Sequence, residues 1–117
     1  MKTVIGNNIF ITKFAYPEIT NHISCNKIVK QRESVCYIKH SKSQTESEII
    51  VQDSVKTDSR DSFIKAKGRN LAFKKTLNKL FADKTLRKQF GLTNVEFDQF
   101  VSDYYNQCPT SVMLYNY

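Results

Sequence analysis

The chain has 117 residues, 18 Lys+Arg against 11 Asp+Glu and a formal net charge of +7. That length suits one domain, residues 1–117, and 40% hydrophobic with 12% aromatic residues supplies a packed core, which excludes wholesale disorder. No apolar run approaches the roughly 20 residues of a membrane span, and the first residues lack the pattern of a secretory signal, so we expect a cytoplasmic protein with no membrane partner.

The first half, residues 1–56, reads as mainly β. Thr3-Val4-Ile5 and Ile9-Phe10-Ile11 flank Gly6-Asn7-Asn8, whose Gly and Asn tolerate the positive φ of a hairpin turn. Tyr16-Pro17-Glu18 ends that element. Lys27–Gln31 and Ser34–His40 read as a second strand pair, with Arg32-Glu33 near the turn between them. Ser41–Ser47 is a polar loop and Glu48–Gln52 a further strand. Asp53–Ser62, rich in Asp and Ser, reads as the link to the second half.

Residues 61–108 read as mainly α. Phe63, Ala66, Asn70, Phe73, Leu77, Leu80 and Phe81 fall on one face of a helix over Phe63–Phe81, which Asp61 or Ser62 would cap. Gly68 inside it costs about 1 kcal/mol against Ala and marks close packing or a late start. Asp83–Phe90 is a short amphipathic piece stopped by Gly91. Thr93 and Glu96 have the spacing of a capping box, and the helix it opens has Phe97, Phe100, Val101, Tyr104 and Tyr105 as its apolar face. Pro109 ends it. Residues 109–117 form an apolar tail suited to adding a strand or docking on a partner. The expectation is an α+β fold: an N-terminal antiparallel sheet of four to five strands, then two to three C-terminal helices.

The charge is concentrated. Between Lys65 and Lys88 lie nine basic residues and one acid, Asp83, a net of +8, while the rest of the chain nets −1. Lys65, Arg69, Lys75 and Lys79 read as the side away from the aromatic face; Lys67 and Lys74 flank its edge. So dense a cluster favours an anionic partner, although charged helix faces also serve solubility alone. Seven lysines to two arginines suit diffuse attraction to phosphate better than bidentate reading of bases.

Enzyme chemistry finds little support. His22 and His40 lack a companion motif, Asp53, Asp58 and Asp61 read as loop and cap residues, and Gly6, Gly68 and Gly91 are too dispersed for a phosphate-binding loop. Cys25, Cys36 and Cys108 are an odd number at wide spacing, neither a disulfide framework nor a zinc site. We expect no catalytic residues, no metal and no cofactor. Helix-turn-helix reading of DNA is disfavoured too, because Asn94–Gln107 carries Glu96, Asp98 and Asp103 and no cation.

One stretch carries a resemblance. Asp61-Ser62-Phe63-Ile64-Lys65-Ala66-Lys67-Gly68-Arg69-Asn70-Leu71-Ala72-Phe73 resembles a pattern of small phage-encoded proteins: Asp-x-Phe, four residues, Gly-Arg, two residues, Ala. The family it is similar to is the first type of phage anti-Thoeris protein. Asn70–Phe73 and then Lys74-Lys75 stand where that family often has a further Arg. The resemblance implies a non-enzymatic sponge, a dimer or larger homo-oligomer in the host cytoplasm, that sequesters a cyclic ADP-ribose-type immune signal; it places Phe63, Gly68 and Arg69 in the matched motif. From the residues themselves, stacking aromatics (Tyr16, Tyr37, Phe63, Phe73, residue types that more often serve the core) and phosphate-seeking cations suggest a site for a phosphorylated small molecule. The combined candidates are Phe63, Lys65, Arg69, Phe73, Lys74 and Arg87. The alternative is a basic protein that binds nucleic acid or a host effector, as an anti-CRISPR-like inhibitor would.

Overall fold

The computed structural model describes residues 1–24, 27–41, 46–56 and 65–107, and the side chains of these outside 19–31. Five strands precede three helices: β1 (Lys2–Ile5), β2 (Asn8–Ala15), β3 (Glu18–Ser24), β4 (Lys27–Ser41), β5 (Ser47–Lys56), α1 (Lys65–Ala82), α2 (Lys84–Phe90) and α3 (Asn94–Gln107). The α+β expectation holds.

The expected first hairpin is present. β1 pairs antiparallel with β2 from Lys2↔Ile11 to Ile5↔Asn8, leaving Gly6-Asn7 as a two-residue turn. Gly6 has φ +59 and no non-glycine residue described here has positive φ, the pattern of a type II′ turn with glycine first.

The middle of the sheet corrects the sequence reading. Lys27–Gln31 and Ser34–His40 do not form a hairpin; they are one 15-residue strand, β4. Arg32 and Glu33 lie inside it because each finds an opposite charge across the sheet. Arg32 pairs in register with Glu18, at 3.7 Å between charged groups, and Glu33 pairs in register with Lys56. The strand opposite residues 27–32 is β3, which the sequence reading left out. Likewise Asp53–Lys56, read as a link, continue β5.

β2 and β3 run along one edge of β4 in a single register, from Ile9↔Ser41 through Ala15↔Val35 to Glu18↔Arg32. Pro17 divides them because it has no N–H to give, yet its carbonyl still accepts from Glu33 N at 3.0 Å. β5 takes the other edge of β4 from Glu33 to Ser41. The β3–β4 pair therefore runs beyond the β2–β4–β5 sheet as a two-stranded arm about 23 Å long, consistent with a molecule 54 Å by 31 Å by 27 Å.

All three helices cover one face of the sheet. Phe10, Cys36, Ile38 and Val51 meet Ala72, Phe73, Leu77 and Leu80 of α1, and Phe90, Leu92, Phe100 and Tyr104 complete the core. Thr76 secures α1 to the centre of the sheet: its hydroxyl lies 3.2 Å from Cys36 O and 2.8 Å from Ala72 O. Burial beneath it pushes the Cys36 thiol up to about 12. His40, wedged 4.6 Å from the Phe90 ring, bonds Asn8 Oδ1 at 3.0 Å, a packing role.

The helix ends follow the sequence. Asp83 caps α2 by accepting from Thr85 N and Leu86 N at 3.0 and 3.1 Å. Gly91 ends it at φ 63, ψ 38, and Leu92 N returns to Arg87 O at 2.9 Å. Glu96 reaches back to Thr93 N at 2.8 Å, the expected capping box; the Thr93 hydroxyl, and then that backbone bond, hold the Glu96 carboxyl below the usual range. The cap expected at Asp61 or Ser62 lies outside the described residues.

The outer strands β1 and β5 are guarded by helix side chains. On β1, Gln99 Nε2 donates to Val4 O at 2.8 Å and Gln107 Nε2 to Lys2 O at 3.3 Å. On β5, Lys75 Nζ donates to Ser54 O at 3.0 Å and Lys79 Nζ to Gln52 O at 3.1 Å. These bonds occupy carbonyls that an edge strand would otherwise offer to another chain.

Candidate functional site

A groove of about 190 Å³ opens between α1 and α3, lined by Asn70, Phe73, Lys74, Leu77, Asn78, Phe97, Val101, Tyr104 and Tyr105. It exists because α1 makes contact along two arcs. Helical phase puts Ala72, Thr76 and Leu80 toward the sheet, and Asn70, Lys74 and Leu77 toward α3. The floor is a stacked aromatic pair, Phe73 on Tyr104, with centroids 4.1 Å apart and planes 7° from parallel. Both rings are nearly fully buried. The Tyr104 hydroxyl donates to Asn70 Oδ1, so the one buried amide of α1 is satisfied and the Tyr104 ring is fixed.

The rim is asymmetric. Lys74 is exposed at its α1 side, and Lys67, two turns earlier, shares that stripe about 10 Å along the axis. On α3 the exposed Asp98 sits in phase with Tyr105. An anion is therefore drawn to the α1 lip and repelled from the α3 lip. Besides Lys74, only the two tyrosines among the lining residues titrate. No carboxylate or imidazole lines the groove to exchange protons with a bound molecule.

The sequence candidates do not converge on one site. Phe73 and Lys74 line the groove. Arg69 lies about 140° round the helix from Lys74, partly buried on the sheet side. Lys65, a further turn back, holds its ammonium 4.5 Å from the Tyr16 ring centroid. Arg87 is exposed on α2, where with Lys84, Lys88, Gly91, Leu92 and Thr93 it borders a shallow surface depression. Phe63 lies outside the described residues, as do Cys25, Cys108 and the 109–117 tail. Lys65, Arg69, Lys75 and Lys79 do lie off the aromatic arc of α1, but that side is not bare: Arg69 turns toward the sheet, Lys65 reaches Tyr16, and Lys75 and Lys79 bond β5 carbonyls. α1 packs on both the sheet and α3, so its contact arc is wide, and lysine stems cross β5 to reach carbonyls.

Sequence reasoning missed Asn70, Asn78, Tyr104 and Tyr105 as lining residues. Asn70 carried a signal, a polar residue on an otherwise apolar face. Nothing local ties it to Tyr104, 34 residues away.

Among the described residues no group of His, Cys, Asp and Glu is placed to hold a metal ion, and no helix is long and apolar enough to cross a membrane. The chain matches no known protein family, no curated protein and no solved structure.

Proposed function

We propose that this protein is a non-enzymatic binder of a phosphorylated nucleotide, with the base in the α1–α3 groove and the phosphate at Lys74. The observation that carries the reading is the groove itself: aromatic walls, amides at Asn70 and Asn78, and a cation on one lip. Ligand pockets usually measure about 300–1,000 Å³, so a groove of about 190 Å³ receives a base and leaves the phosphates outside, near Lys74 and Lys67. The lining offers no acid–base pair, which fits capture without turnover. The resemblance of residues 61–73 to the anti-Thoeris sponges supplies the ligand class, a cyclic ADP-ribose-type signal, and a cytoplasmic homo-oligomer as the working assembly.

Native mass spectrometry of the full chain with ADP-ribose and cyclic ADP-ribose tests this. The expected result is one nucleotide per protomer, released at unchanged mass after denaturation. No mass gain with either nucleotide, or recovery of a cleaved product, overturns the reading.

A further inference from the structure

The helices cover one face of the sheet, and the opposite face carries a second cluster of cations. Its positions follow from the register. Lys2, Ile11 and Lys39 form one cross-strand row over β1, β2 and β4, and Lys13 and Tyr37 are partners in the next row. Burial alternates as this requires: Thr12, Cys36 and Ile38 are buried, while Ile11, Tyr37 and Lys39 are partly exposed and Lys13 is exposed. Lys39 Nζ lies 5.7 Å from the Tyr37 ring centroid, which places both side chains on this face.

With strands about 4.8 Å apart, Lys2, Lys13 and Lys39 surround Ile11 and Tyr37 in a patch about 10 Å across. Arg32 and Lys75 have carboxylate partners; none of these three lysines does among the described residues. Among the described strand residues, the carboxylate that shares the face, Glu33, sits in a later row opposite Lys56.

We propose that this open sheet face is a binding platform for single-stranded nucleic acid, separate from the groove and independent of the reading given to it. Three ammonium groups with no carboxylate partner among the described residues match a phosphodiester backbone. Tyr37 and Ile11 between them offer a flat apolar surface for a base, and a base with a free π-face exists only in an unpaired strand. The same charge speaks against a second copy as the occupant, because two such faces brought together oppose lysine to lysine.

Fluorescence anisotropy of the full chain with a labelled oligothymidylate tests the proposal. Three phosphate contacts give a slope of about −2 for log affinity against log salt, at about −0.7 per contact. Lys13→Ala with Lys39→Ala removes about 1.4 of that slope. Tyr37→Ala weakens binding at least about fivefold while Tyr37→Phe retains it. Lys84→Gln with Lys88→Gln, on the helix side, stays within about twofold of the parent, allowing for its change in net charge. Each variant is checked for an unchanged circular dichroism melt. Four results overturn the proposal: no binding, binding indifferent to Lys13, Lys39 and Tyr37, equal competition by a duplex, or a dimer in sedimentation that Lys13→Glu dissolves.

Discussion

α1 carries lysines on both flanks, and the two flanks use them differently. On the β5 side, Lys75 and Lys79 bond the carbonyls of Ser54 and Gln52, so their charge completes a sheet edge. On the α3 side, Lys74 stands at the lip of an aromatic groove. Lys74 and Lys75 are neighbours in sequence, yet about 100° of helical phase separates a position at the groove from one on the sheet edge. A charge count over residues 65–88 registers both flanks as one patch. The assignment of each cation comes from what the helix turns it toward.

The comparison requires that α1 be firmly seated, and the largest expected effect tests that. Leu77 is 1% exposed and lies between the core and the groove. Leu77→Ala is expected to cost about 2–5 kcal/mol in a guanidinium melt. A loss under about 1 kcal/mol would mean that α1 does not hold its two flanks in fixed register.

A pH series examines the same seat. The Cys36 thiol, pushed up from 9.0 to about 12 by burial, stays protonated in the folded protein while the unfolded chain ionises. Its contribution to stability is thus complete below about pH 9 and falls by about 1.4 kcal/mol per pH unit between about 9 and 12. The measurement is the urea midpoint at pH 8 and pH 10 for the parent and for Cys36→Ala. The parent should lose the extra stability that the variant cannot, and equal losses would contradict the buried thiol.

Smaller effects sharpen the contrast. Asp83→Ala removes both bonds of the α2 cap and should cost about 1 kcal/mol by thermal melt. Lys75→Ala with Lys79→Ala should cost less than about 1 kcal/mol, because the Lys75–Asp53 pair is open to solvent, at 52% and 32% exposure. The double variant should also aggregate sooner by light scattering, since it uncovers the β5 edge.

Local signals made the helices legible in the sequence. Asp83, Gly91 and the Thr93–Glu96 box each satisfy backbone groups within a few residues, so their spacing alone carries the information. Strand segments such as Ser34–His40 and Glu48–Gln52 were legible, but the pairing of the sheet was legible only where its contacts are equally local, as at Gly6-Asn7. The long β4 was not: Arg32-Glu33 resembles a turn until Glu18 and Lys56 are placed beside it, and those neighbours are set by register. The groove falls between these cases. Phe73 and Lys74 could be picked out from the aromatic face and the charge cluster. Tyr104 joins the groove through its stacking on Phe73, and the turn of Arg69 toward the sheet was not legible because the sequence does not show that α1 is contacted from two directions.

The most direct test of the central claim is isothermal titration of ADP-ribose and cyclic ADP-ribose into Lys74→Ala and into the Lys75→Ala, Lys79→Ala double variant. The account predicts about a tenfold loss of affinity for Lys74→Ala, equivalent to about 1.4 kcal/mol, and an affinity within about twofold of the parent for the double variant, despite its larger loss of charge. Equal losses, or a greater loss in the double variant, would show that diffuse charge on α1 attracts the ligand and that the groove does not hold it.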